Sequence, residues 1–181
     1  MKIEIISGSP RTQSVTHRLA LHLQKKLSDK TSHKIGLIDL RDVNLSTEHD
    51  VFSTVEKTPE SFRELSQKMF ASDAYILVTP EYNGSYTARL KSFLDHFPKQ
   101  HHKPFAIATA SPGALGGIRA AMQLQQLIFA LFGIGSPYML ITPTIDKKFD
   151  EEGNLLEPAF EKSVDLFLTE FLWLAEQLYK K

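Results

Sequence analysis

A group of hydroxyl side chains and one guanidinium follows the first apolar run of this sequence. Residues 7–16 read SGSPRTQSVT, with hydroxyls at Ser9, Thr12, Ser14 and Thr16 and a positive charge at Arg11. Hydroxyl groups donate hydrogen bonds to phosphate oxygens, and a helix that begins here adds unpaired backbone N–H groups and a partial positive charge. The segment therefore predicts a phosphate site. A helix capped by Ser or Thr, with no ligand, is the alternative.

The same segment lacks the patterns of two common nucleotide-binding loops. A dinucleotide fingerprint needs glycines spaced as G-x-G-x-x-G, and these residues contain Gly8 alone. A Walker loop needs Gly-Lys followed by Ser or Thr, which is also missing from the segment. A terminal monophosphate therefore suits the loop better than a pyrophosphate or a triphosphate.

A second candidate loop follows another apolar run and reads PEYNGSY over residues 80–86. The pair Asn83-Gly84 is a common two-residue hairpin turn, but the residues after it follow a helical stripe, so we expect no hairpin. Backbone N–H groups of a tight turn here can meet a flat heteroaromatic ring, with an aromatic side chain beside it. An ordinary β–α connection in which Tyr82 and Tyr86 simply pack is the alternative.

A third loop, residues 110–117, contains three glycines within five residues at Gly113, Gly116 and Gly117. Glycine has no Cβ, so the backbone at these positions can approach a ligand closely. A flexible turn in which glycine takes unusual dihedral angles is the alternative.

These loops are placed by an alternation of strand and helix patterns along the chain. Apolar runs predict strands at residues 3–6, 34–40, 74–79, 105–110 and 138–142. Helical stripes separate them, and a last stripe from Phe160 to Leu178 closes the chain. Five successive β–α units predict a parallel sheet with helices on both faces, and such sheets bind ligands where their strands end. The three loops follow strands one, three and four.

Composition excludes several classes of protein. The 181 residues suit a single domain spanning residues 1–181, and 21 Lys+Arg balance 21 Asp+Glu. Zero net charge disfavours a nucleic-acid binder, which needs surplus positive charge. The sequence has no cysteine, which excludes disulfides, thiolate nucleophiles and iron–sulfur clusters. No apolar run approaches the roughly 20 residues that cross a bilayer, so we expect no membrane association and a cytoplasmic location.

Together the three loops resemble those of the NADPH-dependent FMN reductase family of flavodoxin-like proteins. The family carries G-S-x-R-x-x-S after its first strand, and residues 8–14 here read GSPRTQS. It also carries P-E-Y-N before a helix with L-K-x-x-x-D, matched by PEYN at 80–83 and LKSFLD at 90–95. Two departures concern the second substrate: Thr87-Ala88 stands where the family often has Pro-Gly, and the third loop has an extra Pro112.

The resemblance implies an α/β fold with a flavodoxin-like, doubly wound, five-stranded parallel sheet in the order 2-1-3-4-5 and helices on both faces. It implies FMN as the cofactor, held by residues of all three loops. The phosphate would be held by Ser9, Arg11, Ser14, Val15 and Thr16. The isoalloxazine would be lined by Pro80, Glu81, Tyr82, Asn83 and Gly84, and its other edge by Ser111, Gly113, Gly116 and Gly117.

The activity implied by the resemblance is hydride transfer from NADPH, or NADH, to bound FMN and then to a second acceptor by a ping-pong mechanism. Free flavin, quinones, azo compounds and oxidised metals are the acceptors expected. Because the flavin carries the hydride chemistry, no catalytic side chain and no metal are expected.

Three other functions compete with the reductase. A flavodoxin-type electron carrier would bind FMN but serve a protein partner, and zero net charge disfavours it because such carriers are usually strongly acidic. A hydrolase is disfavoured because the sequence has no G-x-S-x-G, no H-E-x-x-H and no cysteine. A structural protein without flavin stays open.

The helix predicted around residues 123–132 carries apolar residues on more than one face, with Leu124 and Phe129 outside the main stripe. So wide an apolar surface needs more cover than one sheet provides. We therefore expect a homodimer or homotetramer, and by resemblance its flavin sites lie near the subunit boundary. A deeply buried helix in a monomer is the alternative.

Overall fold

The computed structural model describes residues 1–45 and 50–179, in which strands and helices alternate. The strands are β1 (Lys2–Ser7), β2 (Lys34–Asp39), β3 (Ala74–Pro80), β4 (Pro104–Ala110), β5 (Ile134–Gly135) and β6 (Leu140–Thr142). The helices are α1 (Val15–Lys30), α2 (Arg63–Ala71), α3 (Ala88–Asp95), α4 (Ile118–Ala130) and α5 (Glu161–Tyr179). Within these ranges no helix is long and apolar enough to cross a membrane.

All strand pairs in the sheet are parallel, and the order is β2-β1-β3-β4-β5, with β6 also paired to β4. The predicted order 2-1-3-4-5 is therefore confirmed. The fifth position differs in detail, because two short strands share it. β5 lies beside the start of β4 and β6 beside its end. Pro137, between them, has no N–H to give to the ladder, which interrupts the pairing.

The sheet is covered on both faces, as its buried apolar strands require. Every residue of β3 and β4 is buried. One core joins Ile3 and Ile5 of β1 with residues of α1 and α5, including Phe167. The other core joins Ile6 and residues of α2, α3 and α4, among them Phe93. Alternate residues of β1 thus face opposite layers, which is the period of a strand.

The inner face of α4 differs from the one expected. Leu124 is fully buried together with Ala121 and Ile128, whereas Met122 is 50% exposed and Phe129 is 72% exposed. The placement of Leu124 outside the buried stripe is therefore wrong. Apolar residues occupy both faces of this helix, so hydrophobic periodicity alone assigned the wrong side to the sheet.

Candidate functional site

The carboxyl ends of β1, β3 and β4 bring the three predicted loops together around one cavity of about 200 Å³. Most of the predicted site residues lie on its wall; Asn83, Gly84, Gly113, Gly116 and Gly117 do not. The wall is formed by Ser9, Arg11, Gln13, Ser14, Val15, Thr16, Pro80, Glu81, Tyr82, Ala110, Ser111 and Pro112. The sequence prediction missed Gln13 and Ala110, which flank predicted residues in the same loops, and it noted Pro112 only as a departure that concerns the second substrate.

The first loop is held by hydrogen bonds to the strand and helix beside it. The Gly8 N–H donates to the Val78 carbonyl at 2.7 Å, and the Gly8 carbonyl accepts from the Thr87 hydroxyl at 2.5 Å. Thr87 also caps α3, since the Leu90 N–H donates to its Oγ1 at 3.1 Å. The residue that departs from the family pattern therefore joins the first loop to the helix after the second loop.

Ser14 is the N-cap of α1, where its Oγ accepts a hydrogen bond from the His17 N–H at 3.1 Å. The capping role considered in the sequence is thus present. A hydroxyl that accepts through its oxygen still has a hydrogen to donate, so the cap leaves Ser14 able to bind a phosphate oxygen. The two interpretations of this residue are compatible.

Arg11 extends over the second loop, with its Cζ atom 5.0 Å from the centre of the Tyr82 ring. The Tyr82 hydroxyl is buried and has no hydrogen-bond partner among the residues described. Leaving a buried hydroxyl unpaired destabilises a protein by about 1–3 kcal/mol. Such a group is expected where a ligand completes the hydrogen bonding.

The Asn83-Gly84 turn closes on itself before α3 begins. Tyr82 and Ser85 exchange two backbone hydrogen bonds of 2.8 and 3.1 Å, and Asn83 and Gly84 have φ angles of 51° and 81°. Left-handed φ at both central residues is the signature of the hairpin-type turn that favours Asn-Gly. The expectation of no hairpin is wrong for this turn, while the chain does continue into a helix at Ala88.

Glu81 caps α4 from a different loop, a role that the sequence did not reveal. Its Oε2 accepts from the backbone N–H groups of Arg119 and Ala120 at 3.0 and 3.4 Å. Its Oε1 also lies 3.6 Å from Nη1 of Arg119. The N-cap residue of α4 is Gly117, which has no side chain to offer the first-turn N–H groups. The glycine at the N-cap of α4 was the one signal in the sequence that this helix needs a capping group from elsewhere in the chain.

Gly116 and Gly117 pack the third loop against the sheet. A Cβ on Gly116 would lie 2.7 Å from the Ile141 side chain, and one on Gly117 would lie 2.9 Å from the Thr109 Cβ. Their φ angles of 58° and 88° also favour glycine. The Thr109 hydroxyl donates to the Gly116 carbonyl at 2.9 Å. The structure thus gives both glycines a packing role at the base of the loop.

A polar network under the first loop was also missed. Nδ1 of His17 lies 3.0 Å from the Ser7 hydroxyl and 3.3 Å from the Asp39 carboxylate. Arg41 donates to Asp39 through Nε at 2.8 Å and to the Thr12 carbonyl through Nη1 at 3.0 Å. The network ties the first loop to the end of β2.

The negative charge of Asp39 in this network is balanced by the positive charge of Arg41. Burial lowers the pKa of His17, and the Asp39 carboxylate opposes this only in part. Burial raises the pKa of Asp39, but hydrogen bonds from Arg41 outweigh it and leave that pKa below its usual value. Asp39 and Arg41 therefore neutralise each other at neutral pH. Arg11 is left as the one cation among the residues that line the cavity.

This fold and site agree with the family comparison. Residues 1–142 match the family model described as NADPH-dependent FMN reductase. The chain belongs to the NADPH-dependent FMN reductase family. Membership confirms the resemblance to this family that the three loops indicated. It also confirms that the protein is an oxidoreductase, with FMN as its cofactor and NADPH as its reductant.

Relatives of this reductase support the same family. The FMN-dependent NADPH-azoreductase of Staphylococcus aureus is 28% identical over 179 residues, covering 95% of this chain and 94% of the relative. The solved structure of FerB, a flavoenzyme NAD(P)H:(acceptor) oxidoreductase from Paracoccus denitrificans, has a TM-score of 0.77, 24% identity and 97% coverage of both chains. A mutant flavodoxin from Pseudomonas aeruginosa has a TM-score of 0.60 and 19% identity, covering 95% of this chain and 99% of the flavodoxin. The last two show the flavodoxin-like fold.

No group of three or more His, Asp or Glu side chains in residues 1–45 and 50–179 is arranged to hold a metal ion. His101 and His102 lie edge to face, with ring centres 6.2 Å apart and ring planes at 75°. His101 also packs on the Phe132 ring at 4.8 Å. Both histidines are exposed, in the turn before β4.

Proposed function

We propose that this reductase binds FMN at the carboxyl edge of its sheet, with the phosphate in the cavity and the ring along the second and third loops, and reduces small electron acceptors with NADPH there. The observation that carries the proposal is the meeting of two groups in one cavity. One is a hydroxyl-lined helix start with a single cation, and the other is an aromatic loop whose Tyr82 hydroxyl is buried without a partner among the described residues. A phosphorylated ligand with a flat, polar ring matches both groups. The residues present therefore fit FMN.

The phosphate of FMN would be held at the start of α1. Ser9, Ser14 and Thr16 are buried hydroxyl residues on this part of the wall, and Val15 begins the helix. Arg11 supplies positive charge, and the helix start adds its partial charge. Charged hydrogen bonds to phosphate are about twice as strong as neutral ones. The first loop would thus supply most of the affinity.

The ring would lie along the second and third loops. Tyr82 and Ser85 use their N–H groups within the turn, which leaves those of Asn83 and Gly84 as the turn's donors among the described residues. Pro80 and Ser111 form the wall on either side. The Glu81 carboxylate is directed to the α4 N-terminus, so its contribution is to keep the second and third loops together.

When bound, FMN accepts and donates hydride, which is why this chain needs no acid–base residue of its own. The loops would orient the ring and leave one shared entrance for NADPH and for the acceptor. Because NADPH and the acceptor would share this entrance, NADPH would have to leave before the acceptor binds. That order of events is a ping-pong mechanism. Azo compounds are the first acceptors to test, because the S. aureus relative is named for them; free flavin, quinones and oxidised metals are further candidates.

Steady-state oxidation of NADPH by the purified protein, with an azo dye or a quinone as the acceptor, tests this function. Parallel lines in double-reciprocal plots at several acceptor concentrations are expected. Turnover that requires an added protein partner would instead support a flavodoxin-type carrier. The balanced charge of 21 basic and 21 acidic residues favours the reductase, because an acidic surface is what steers carriers to their partners.

We also propose that the protein forms a homodimer through the outer face of α4. Met122 and Phe129 are exposed on this helix, and Phe132 is 56% exposed just after it. The helix starts beside the cavity, because Glu81 joins the start of α4 to the second loop. A second copy of a chain without net charge meets little electrostatic repulsion.

Light scattering of the wild type and of Phe129→Glu tests the dimer. We expect a dimer that becomes monomeric in the variant, whose exposed position leaves the fold unchanged. A monodisperse wild-type monomer would overturn this proposal. The single-domain organisation and the cytoplasmic location expected from the sequence stay predictions.

A further inference from the structure

A second cavity, of about 780 Å³, lies between α2 and the first two strands. Lys2 and Lys34, the first residues of β1 and β2, stand at one side of it. The cavity is therefore near the amino ends of these strands, whereas the flavin cavity is at the carboxyl ends. Its volume is in the range of small-molecule sites, which is about 300–1,000 Å³.

Glu4 contributes an unusual group to this cavity. It stands in the middle of β1 and is only 8% exposed. Its Oε2 is buried and has no hydrogen-bond partner in the described part of the chain. Burial raises the pKa of this carboxyl, and the charges of Lys68 and Lys2 oppose that rise. A buried carboxyl without a partner is unfavourable for folding, so its presence calls for a ligand or another function.

Gly36 makes the space that Glu4 occupies. The two residues are partners in the β1–β2 ladder. A Cβ on Gly36 would lie 2.2 Å from both carboxylate oxygens of Glu4, so no other residue leaves room for this side chain. Glycine inside a strand weakens it and often marks a close approach. A buried acid and a strand glycine, each unfavourable alone, thus coincide at one point of the cavity wall.

The charges around Glu4 limit what the cavity can bind. Lys2 and Lys34 have no ion-pair partner among residues 1–45 and 50–179, while Lys68 pairs with Glu64 at 2.9 Å. Ammonium groups on this side disfavour a metal ion or an organic cation and favour an anion. The apolar part of the wall comes from Ile35, Val55, Phe70 and Ala71.

We propose that this cavity binds a small aromatic hydroxy acid, separately from the flavin site. Its hydroxyl would donate to Glu4 and its carboxylate would pair with Lys2 and Lys34. Its ring would contact the apolar wall beside Phe70. This assignment gives the buried carboxyl the donor that it lacks within the described chain, and it gives the two ammonium groups an anion.

Calorimetric titration of the FMN-loaded protein with 4-hydroxybenzoate tests the proposal, with benzoate as the matched ligand that lacks the hydroxyl. We expect 4-hydroxybenzoate to bind at least about tenfold more tightly, since a hydrogen bond to a charged group is worth about 1.5–3 kcal/mol. Glu4→Leu should abolish this preference, and Lys34→Met should weaken the binding of both ligands. Because leucine is apolar like the rest of the strand, the Glu4→Leu variant should also unfold at a higher temperature than wild type.

Four results would overturn the proposal. The first three are no binding of 4-hydroxybenzoate to wild type, equal affinity for the two ligands, or an unchanged preference in Glu4→Leu, and the fourth comes from the Arg11→Ala control below. Gly36→Ala is a second variant, because its Cβ displaces the carboxylate without removing it. Arg11→Ala is the control for binding at the flavin cavity. Loss of 4-hydroxybenzoate binding in that variant would place the ligand there, and would count against this second site while leaving the flavin proposal intact.

Discussion

Arg11 is the residue whose replacement tests the phosphate site most sharply. It is the one cation among the residues that line the cavity. The nearby Arg41 is engaged by Asp39 at 2.8 Å, and Arg18 donates to the Phe149 carbonyl at 3.2 Å. Arg11→Ala therefore removes all side-chain positive charge from that wall. The helix start and the hydroxyls of the first loop remain.

The expected loss follows from the strength of a charged hydrogen bond. Such bonds are worth about 1.5–3 kcal/mol, and Arg11 is exposed, so screening by solvent favours the lower end. Every 1.4 kcal/mol is a factor of ten in affinity, so the Kd for FMN should rise about tenfold. The difference between wild type and variant should also shrink as the salt concentration rises, because ions screen an exposed charge.

Fluorescence titration of the apoprotein with FMN measures this effect. Arg18→Ala is the matched control, since Arg18 lies on α1, close to Arg11 in sequence, but does not line the cavity. It should bind FMN as the wild type does. A Kd for Arg11→Ala within twofold of wild type at low salt would refute the assignment of the phosphate to this loop.

Three further predictions concern the loops and the polar network. Gly84→Val should weaken FMN binding or turnover, because a β-branched residue at a φ of 81° is strained, while Gly135→Val, with open space around it, should not. Glu81→Ala should lower the free energy of unfolding by about 0.5–2 kcal/mol, through loss of the α4 cap. Burial lowers the pKa values of His17 and His22 in the folded protein, so the unfolded chain takes up protons first as the pH falls. Stability should therefore be full above about pH 6.5 and decline below it, and replacing both histidines by Gln should flatten this dependence.

Each of these has its own check. Turnover of Gly84→Val equal to wild type would count against a role for the turn at the ring. Urea unfolding of Glu81→Ala should be compared with Glu151→Ala, whose carboxylate is 85% exposed, and equal stabilities would refute the capping role. Urea midpoints that do not change between about pH 8 and about pH 5.5, on either side of the usual histidine pKa, would contradict the burial of neutral histidines.

The strand order and the meeting of the three loops at one cavity were predictable because they depend on patterns that are local in sequence. The apolar run of β3 is buried throughout, and the loops after β1, β3 and β4 must meet at one edge of a parallel sheet. Residue types in these loops then indicated a phosphate and a ring. The family motifs added the identity of the cofactor.

What could not be predicted depends on partners distant in sequence. Glu81 caps a helix 38 residues later, and Arg41 reaches the Thr12 carbonyl 29 residues earlier. Neither pairing leaves a periodic pattern in the sequence. The inner face of α4 was misassigned because Met122 and Leu124 are both apolar, and only packing on the sheet distinguishes them.

The visible spectrum of the FMN-loaded protein, recorded before and after anaerobic addition of NADPH, tests the central claim most directly. We predict a yellow flavin spectrum that bleaches with NADPH and returns when an azo dye or a quinone is added. A colourless protein that fails to bind added FMN, or a bound flavin that NADPH does not bleach, would contradict the account.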